Sequence, residues 1–356
     1  MNTKKECKQL SFKGQDFFIG IDVHKKSWKV TIRTSGRELK TFSMEPKVEV
    51  LYNHMQKNYP QGQYYSVYEA GFSGYWIHKK LVESNIKNII VNPADIPTKR
   101  KERERKSDKI DSRKLARELE NNSLDGIFIP TDEQLSIRSV SRGYSRIRSE
   151  LVRIKQQIKS FLHFHGIPIP DKDEMSHWSG KFINYLRSIK FNNEAMNRAY
   201  ELLLTDYERI RKERLEILKQ MRKIVKDIKI IKYLQTIPGI GIIVSFILYA
   251  EIMDMLRFSS ADKLSSYIGV VPSVAGSGDK EKVKGLTKRR NQHLRYLLIE
   301  AAWRAIKSDP VMTMLYSDYI KRMDTKRAII KITRKLIKRI RYVWINEKPY
   351  QIGVIE

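Results

Sequence analysis

The order of strand and helix patterns in the first third of the chain constrains the fold more than any other feature of the sequence. Residues 17–43 read as an apolar strand, a second strand, a turn at Ser35-Gly36 and a third strand, which predicts a three-stranded meander. Helix and strand patterns then alternate: a helix over 48–57, a strand over 64–69, a helix after Gly74, a strand over 88–92, and a helix that begins in SDKIDSRKLA (107–116). These elements predict a sheet covered by helices.

A meander followed by alternating helix and strand is the order of elements in an α/β ribonuclease-H-like domain. We assign residues 1–130 to this domain. The chain is long enough for further domains, since it has 356 residues, of which 41% are hydrophobic.

The middle of the chain, residues 131–231, changes to a helical period. Apolar residues recur at alternating spacings of three and four, which predicts two α-helical coiled-coil stripes separated by a connector over 166–193 that matches no pattern. The first stripe runs from Ile137 to Phe161 and the second from Leu203 to Ile231, with Arg214 as its one break. Two such helices form either an antiparallel hairpin within the chain or a dimerisation arm between chains, and the periodicity leaves both alternatives open.

Residues 232–356 form a third, mainly α-helical region. It begins with IPGIG (237–241), which resembles a helix-hairpin-helix element, where glycines such as Gly239 and Gly241 let backbone amides approach a phosphate. The alternative explanation of this sequence is a Pro-Gly turn at the start of a buried helix. The region ends in a basic helix over 321–341 whose predicted buried stripe is Ile329, Ile332, Leu336 and Ile340.

The charge of the chain indicates a polyanionic partner. Lysine and arginine number 69 against 40 aspartate and glutamate, which gives a formal net charge of +29 and favours nucleic acid. A membrane is not expected, because MNTKKECKQLSF has no apolar signal region and the apolar stretch over 240–250 is far shorter than the ~20 residues of a membrane span. We expect a cytoplasmic protein, and the single Cys7 excludes an internal disulfide or a thiolate zinc site.

Four acidic residues suit a metal site. Asp22 and Glu69 each close a predicted strand, so they meet at one edge of the sheet if those strands are neighbours. Asp108 and Asp111 are three residues apart, so a helix places both on one face. Converging carboxylates bind hard divalent cations, and Mg²⁺, or Mn²⁺ in its place, is the usual ion for phosphoryl chemistry. First-turn acids that favour a helix N-terminus, and an ordinary turn at Asp22, are the alternative explanations.

The run before these aspartates is strongly basic. It is predicted to neutralise and position a nucleic-acid backbone beside the metal through Lys99, Arg100, Lys101, Arg103, Arg105 and Lys106. We interpret His24 as a surface or structural residue.

The loop AGSGDK (275–280) holds Ser277 between two glycines. A serine becomes a nucleophile only where a base, a metal or a positive field stabilises its alkoxide. The loop supplies lysines at most, and a flexible Gly-Ser-Gly turn explains the pattern equally, so spacing alone does not establish a nucleophile.

Six motifs in one order carry a family resemblance: FIGIDVHK, YEAGFSGYW, VNPADIPTKRKERERKSDKIDSRKLA, LQTIPGIG, FSSADKLSSYIGVVPSVAGSG and LTKRRNQHLRYLLIEAAW. Together the chain resembles the DEDD insertion-sequence transposases of the IS110 family, with the related Piv invertases. The resemblance implies a RuvC-like amino-terminal domain with Asp22, Glu69, Asp108 and Asp111 as its acids, a coiled-coil middle, and a carboxy-terminal transposase domain whose nucleophile is Ser277.

The resemblance also implies partners and a reaction. Members are prokaryotic recombinases guided by a structured bridge RNA that pairs with donor and target DNA. Ser277 would form a phosphoserine link to DNA while the acids hold Mg²⁺, and the site would be shared within a dimer or tetramer. Further contacts to nucleic acid are expected from Lys288, Arg289 and Arg290.

Two other functions remain open from the sequence. One is a metal-dependent junction nuclease in which water attacks and Ser277 is a loop residue. The other is a non-catalytic RNA- or DNA-binding scaffold. The four acids argue against a scaffold, because a chain that only bound polyanions would gain affinity by losing those charges.

Overall fold

The computed structural model of the protein describes residues 11–97, 108–275 and 282–353. Within it the chain divides into two compact units, Met1–Ile129 and Pro130–Glu356. The helical middle and the carboxy-terminal region lie in the same unit, so their separation into two domains near residue 231 stays a prediction.

The first unit is built on a five-stranded mixed sheet. Its strands are β1 (Asp16–Val23), β2 (Trp28–Thr34), β3 (Arg37–Met44), β4 (Gln63–Glu69) and β5 (Lys87–Val91). They lie in the order β3-β2-β1-β4-β5, with β2 antiparallel to both β1 and β3, and with β4 and β5 parallel to β1. The predicted meander and alternation are therefore present, and the sheet is compatible with a ribonuclease-H-like fold.

The two faces of the sheet bury different side chains because successive residues of a strand point to opposite sides. Phe17, Ile19 and Ile21 of β1 are fully buried in one core. Residues of two helices share this core: α1 (Val48–Asn58) and α2 (Trp76–Glu83). The opposite face packs against α3 (Asp108–Glu120), whose Leu115 joins Val67 of β4 in a separate cluster.

The second unit begins with a long helical hairpin of α4 (Asp132–Phe164) and α6 (Glu194–Val225). The two helices run antiparallel: a Cβ on Gly143 would lie 3.1 Å from Ile217, whereas Phe161, further along α4, stacks on Tyr200, near the start of α6. Thr131 caps α4 in a capping box with Gln134. The hairpin lies within one chain, and its supercoil geometry stays a prediction.

The connector that the sequence left unassigned holds a helix, α5 (Gly180–Ser188), which fills the far end of the hairpin. Phe182 and Leu186 are fully buried there in one cluster with residues of α4 and α6. Trp178 extends this packing. The centre of its ring lies 5.0 Å from the centre of the Tyr207 ring and 4.7 Å from Nζ of Lys155. The connector is therefore part of the hairpin's core.

The predicted second stripe is longer than the helix that carries it. The helix α6 ends at Val225, and a separate helix α7 (Lys229–Leu234) begins after Ile228, which has an extended backbone. Ile231 of the predicted stripe is fully buried in the core of the carboxy-terminal helices. Burial in a different core explains how the apolar pattern continues although the helix does not.

The rest of the second unit is mainly helical, with one two-stranded antiparallel ribbon. Its elements are α8 (Ile242–Ile252), α9 (Ala261–Ile268), β6 (Pro272–Ala275), β7 (Lys282–Leu286), α10 (Gln292–Ser308), α11 (Pro310–Ile320) and α12 (Thr325–Asn346). In the described residues, no helix combines the length and the hydropathy needed to cross a membrane.

The last helix differs from its predicted bounds at both ends. It begins at Thr325 rather than 321, because the Asp324 side chain accepts a hydrogen bond from the Arg327 amide and caps the helix. It continues to Asn346. Its predicted stripe is confirmed as buried, with side chains no more than 4% exposed: Ile329, Ile332, Leu336 and Ile340.

Candidate functional site

Asp22 and Glu69 lie at neighbouring strand ends of the first unit. The parallel pairing of β1 and β4 puts Ile21 opposite Tyr68, so the next residue on each strand is an acid. Ile21 and Tyr68 point into the core with α1 and α2, so Asp22 and Glu69 point to the other face. The two carboxylates therefore share one edge and one face of the sheet.

The helix α3 covers this face at close range because β1 has a glycine under it. A Cβ on Gly20 would lie 2.1 Å from the Ser112 carbonyl oxygen and 2.4 Å from the Ala116 amide. The Ser112 hydroxyl is also hydrogen-bonded to the buried Thr31 hydroxyl at 2.9 Å. The sequence analysis missed this contact, although a glycine inside an apolar strand is a signal of close backbone approach.

The direction of α3 brings its first turn to the acidic edge. At the other end of the helix, Glu120 accepts a hydrogen bond from Arg33 Nε at 2.6 Å, and Arg33 pairs with Phe18 near the start of β1. Because α3 runs against β1, its first turn, which contains Asp108 and Asp111, lies toward the end of β1 that carries Asp22. Backbone placement thus assembles the predicted acids at one end of the sheet.

Two of the described acids, Asp22 and Asp111, lie beside a histidine and a lysine. Asp22, with 21% of its side chain exposed, is hydrogen-bonded to His24 Nε2 at 3.0 Å. Asp111 is exposed to the same extent and lies 3.7 Å from Nζ of Lys114, whose side chain is buried. The His24 side chain is half-exposed. The side chain of Asp108 lies outside the described residues.

The donor chemistry of these acids fits a hard divalent cation, because carboxylate oxygens are the ligands that Mg²⁺ and Mn²⁺ take. Among the described side chains, which exclude that of Asp108, no group of three or more His, Cys, Asp or Glu residues is close enough to hold an ion. The four-acid metal site therefore stays a prediction.

Several other predicted residues also lie outside the described part of the chain. They are the basic run Lys99, Arg100, Lys101, Arg103, Arg105 and Lys106, and the serine Ser277. The described flanks of Ser277 are strands β6 and β7, which pair through Val274 with Val283 and Ala275 with Lys282.

A buried charge network, which the sequence analysis missed, lies close to these flanks in the second unit. Glu251 of α8 is fully buried, and its carboxylate accepts hydrogen bonds from Arg142 Nε at 3.0 Å and Nη2 at 3.3 Å. Asn291 Nδ2 donates to the same carboxylate at 3.0 Å. An acid inside the apolar helix IIVSFILYAEI is the sequence signal that could have indicated a paired buried charge.

The charge of Glu251 is retained by its partners. Burial alone would raise the pKa of this carboxyl, but the hydrogen bonds and charge of Arg142, with help from Asn291 and Arg138, hold the pKa below its usual value. Glu251 is thus an ionised structural acid, not a solvent-facing one.

The network also fixes the start of α10. The Asn291 side-chain oxygen caps this helix by accepting from the amides of His293 and Leu294. Arg295, one turn later, donates to the carbonyls of Gly269 and Thr287. Thr287 in turn donates its amide to Val271, which precedes β6. The base of the β6–β7 ribbon is therefore tied to the buried charge.

The predicted nucleic-acid contacts Lys288, Arg289 and Arg290 occupy the segment between β7 and α10. All three residues are exposed. Gly269 lies against this segment, since a Cβ on it would be 2.4 Å from Cβ of Arg290. Their position at the base of the ribbon is compatible with contact to a bound polyanion.

The two glycines of the IPGIG segment (237–241) have different environments. Gly239 has a φ of +86°, and a Cβ on it would lie 2.4 Å from the Ala301 carbonyl oxygen. Gly241 precedes α8 with a φ of −88°, and a Cβ on it would meet nothing within 4 Å. Packing against α10 therefore explains Gly239, whereas no described contact requires a glycine at 241. The helix-hairpin-helix assignment stays a prediction.

Comparison with known proteins gives two family matches. Residues 19–167 match the DEDD transposase model of the IS110 group, described as a transposase. Residues 231–317 match the model described as the transposase IS116/IS110/IS902 family. The first match contains all four predicted acids, and the second contains the predicted serine and both hairpin glycines.

Curated relatives agree with these matches. The chain is 26% identical over 296 residues to the putative transposase y4qE of Sinorhizobium fredii, an alignment that covers 81% of this chain and 72% of the relative. It is 23% identical to the transposase for insertion sequence element IS1533 of Leptospira borgpetersenii, covering 80% of this chain and 84% of the relative. It is likewise 23% identical to the IS1111A transposase of Coxiella burnetii, with 80% and 78% covered.

Proposed function

Because the chain belongs to the IS110 family of DEDD transposases, we propose that it cleaves and rejoins DNA by a phosphoryl transfer that uses four acids and a serine. The observation that carries the proposal is the shared edge and face of Asp22 and Glu69, with the first turn of α3 directed toward them. Acids that meet at one edge of a sheet while remaining open to solvent are suited to a ligand that arrives from solution.

In this proposal, Asp22, Glu69, Asp108 and Asp111 hold a divalent ion, Mg²⁺ or Mn²⁺. The family implies a divalent metal. When bound, such an ion stabilises the charge that develops on the oxygens of a phosphate under attack. Lys114, which lies near Asp111, would balance the charge of that carboxylate when no ion is bound, while His24 is hydrogen-bonded to Asp22.

Ser277 is the proposed nucleophile. Its Oγ would attack a DNA phosphorus, forming an Oγ–phosphorus bond as the bond from phosphorus to a sugar oxygen breaks. The serine hydroxyl loses a proton and the departing sugar oxygen gains one. The phosphoserine link keeps the phosphodiester energy, so attack by another sugar hydroxyl can rejoin the strand and release the serine.

Substrate contacts are proposed at basic segments in both units. The basic run over 99–106 and the exposed segment Lys288–Arg290 would neutralise the DNA backbone, and the amides near Gly239 and Gly241 would approach a phosphate. The formal charge of +29 agrees with a polyanionic partner. We further propose that a structured bridge RNA selects donor and target DNA, and that the active form is a dimer or tetramer.

The test is an assay of the purified full chain with Mg²⁺, labelled donor and target DNA, and the non-coding RNA that flanks its element. We expect rejoined DNA together with a covalent protein–DNA adduct on a denaturing gel. Ser277→Ala should remove both products. Ser273→Ala, in the neighbouring strand β6, is the matched control and should leave both products unchanged.

Three results separate the alternatives. Cleaved DNA without any adduct, at an undiminished rate in Ser277→Ala, would contradict the serine role and indicate a nuclease that uses water. Binding of RNA and DNA without cleavage would indicate a scaffold. Full activity without the RNA would contradict guidance and leave the serine and metal roles standing.

A further inference from the structure

We infer that a cleft in the second unit, formed by α11, α12 and the chain segment 348–351, binds an unpaired strand of nucleic acid. The cleft has a volume of about 430 Å³, which lies within the range of about 300–1,000 Å³ that is usual for ligand sites. Its lining combines lysines with tyrosines: Lys335, Lys338, Tyr342, Lys348 and Tyr350. None of these residues is one of the four acids or the serine, so strand binding here does not depend on the roles of those residues.

Two groups of basic residues lie on α12 and in the cleft. In the first group, three arginines of α12 bind other parts of the protein: Arg334 pairs with Asp262 at 2.7 Å, Arg339 with the buried Asp309 at 2.6 Å, and Arg341 donates to the Phe258 carbonyl at 3.1 Å.

The lysines of the cleft form the second group. Lys335 and Lys338 are exposed one turn apart, and none of the ion pairs found among the described residues involves them or Lys348. The arginines therefore serve the fold, while the lysines leave positive charge in the cleft for a ligand.

Two tyrosines give the cleft aromatic walls. The hydroxyl of Tyr350 donates to the Asp309 carboxylate at 2.7 Å, and its ring lies 5.2 Å from the guanidinium carbon of Arg339. Its backbone amide donates to the Thr236 hydroxyl at 2.7 Å. Tyr342 follows Lys338 by one turn of α12 and remains 47% exposed. One ring is thus held by the fold, and the other is open to a ligand.

This combination selects the class of ligand. Lysine ammonium groups attract phosphates of any nucleic acid, but an exposed ring beside them adds affinity only where a base can stack on it. Bases of a duplex are already stacked on one another, so an unpaired strand is the partner that uses both features. An acidic peptide would use the lysines and leave the exposed Tyr342 ring without a matching group.

Binding of labelled oligonucleotides to the full chain, measured by fluorescence anisotropy across a salt series, tests the inference. The probes are an unpaired RNA strand, an unpaired DNA strand of the same sequence and the corresponding DNA duplex. The variant Lys335→Gln/Lys338→Gln removes two cleft charges. Its matched control is Lys212→Gln/Lys219→Gln, which removes two exposed charges from the long helix α6.

For the cleft variant we expect affinity for an unpaired strand to fall roughly tenfold, with a slope of log affinity against log salt that is less steep by about 1.4. A larger loss for RNA or for DNA would identify the natural source of the strand. Equal losses in the cleft variant and the control, or a loss for the duplex as large as for the strands, would overturn the inference.

A second pair of variants separates stacking from charge and does not depend on the lysine changes. Tyr342→Ala should weaken strand binding roughly fivefold or more, since base–aromatic stacking is lost, whereas Tyr342→Phe should keep the wild-type affinity. Light-induced cross-linking of a strand that contains 4-thiouridine should label peptides from 338–351. Cross-links confined to other regions, or equal affinities for the Ala and Phe variants, would contradict the proposed site.

Discussion

The acids of the first unit and the buried acid of the second unit have opposite surroundings. Asp22 and Asp111 lie at one end of a sheet with 21% of each side chain exposed, where Asp22 contacts His24 and Asp111 lies near Lys114. Glu251 is fully buried and accepts hydrogen bonds from two side chains on two other elements. The first set can exchange its neighbours for a ligand, whereas the second acid has no solvent access through which a ligand could enter.

Solvent access and partners together distinguish a functional acid from a structural one. A buried carboxylate persists only with charged or hydrogen-bonded partners, so its removal is felt as lost stability. A partly exposed carboxylate contributes little to stability, so its removal is felt only by the reaction it serves.

Asp22→Asn should lower the rate of DNA strand transfer by at least about a thousandfold, because a divalent ion contributes several kcal/mol to stabilising the charge of the transition state. Glu69→Gln and Asp111→Asn should act in the same direction. Asp125→Asn, an exposed acid of the same unit, is the control and should keep the wild-type rate. Strand-transfer kinetics measure the activity, and thermal melting measures the stability. A fall in melting temperature that accompanies the fall in rate would indicate a structural role for Asp22.

Arg142→Ala should lower the free energy of unfolding by about 3 kcal/mol, because it leaves a buried carboxylate without its main partner. Arg146→Ala, one turn further along α4, removes an arginine whose pairing with Glu150 at 3.8 Å is exposed, and it should change stability by less than about 1 kcal/mol. Urea unfolding compares the two. Equal effects would show that the Glu251 network is not a source of stability.

The pH dependence of unfolding reports on the same network. The folded pKa of Glu251 lies below its ordinary value of 4.5, so its contribution to stability is complete above that value and is lost as the pH falls through the folded pKa. In Arg142→Ala the main group that lowers this pKa is gone, so the difference in stability between the wild type and the variant should shrink as the pH falls. If the free energy of unfolding changes with pH in the same way for both proteins between neutral and acidic pH, Arg142 does not lower the pKa of Glu251.

Gly20→Ala should lower stability by about 1–3 kcal/mol, because the new methyl group meets backbone atoms of α3 rather than a flexible side chain. It should also lower strand transfer, since α3 carries Asp108 and Asp111. Gly126→Ala is a matched control in the same unit, because its added Cβ would meet Ile89 at an ordinary 3.4 Å. Wild-type stability and activity in Gly20→Ala would contradict the close packing of α3 on β1.

The smallest effect on stability is expected at Gly241, where an added Cβ meets nothing within 4 Å. Gly241→Ala should change the free energy of unfolding by less than about 0.5 kcal/mol. If the IPGIG segment (237–241) contacts a phosphate, the same variant should bind DNA more weakly. Gly239→Ala, by contrast, should be destabilising, because Gly239 has a positive φ and packs against α10. Unchanged DNA binding by Gly241→Ala would leave only a structural role for the IPGIG segment.

The sequence predicted what depends on local pattern. Strand and helix order led to the meander, to the alternation after it, and to the strand ends that carry Asp22 and Glu69. Helical spacing led to the buried stripe of the last helix. These features follow from side-chain periodicity, which is a property of neighbouring residues.

Contacts between distant segments were not predictable in the same way. Arg142, Glu251 and Asn291 come from three separate helices or their caps, and no spacing along the chain links them. The end of α6 at Val225 was missed because the apolar pattern continues into α7, where it serves another core. Gly20 lies within a predicted strand, but its role in the close packing of α3 on β1 depends on the position of α3.

Manganese binding measured by electron paramagnetic resonance tests the division most directly. Wild-type protein is titrated with Mn²⁺ beside Asp22→Asn, Asp108→Asn and Glu251→Gln. Our account predicts that the two aspartate variants bind the ion at least about tenfold more weakly, whereas folded Glu251→Gln binds it as the wild type does. Wild-type affinity in Asp22→Asn and Asp108→Asn would contradict the assignment of the sheet-edge acids as the metal site.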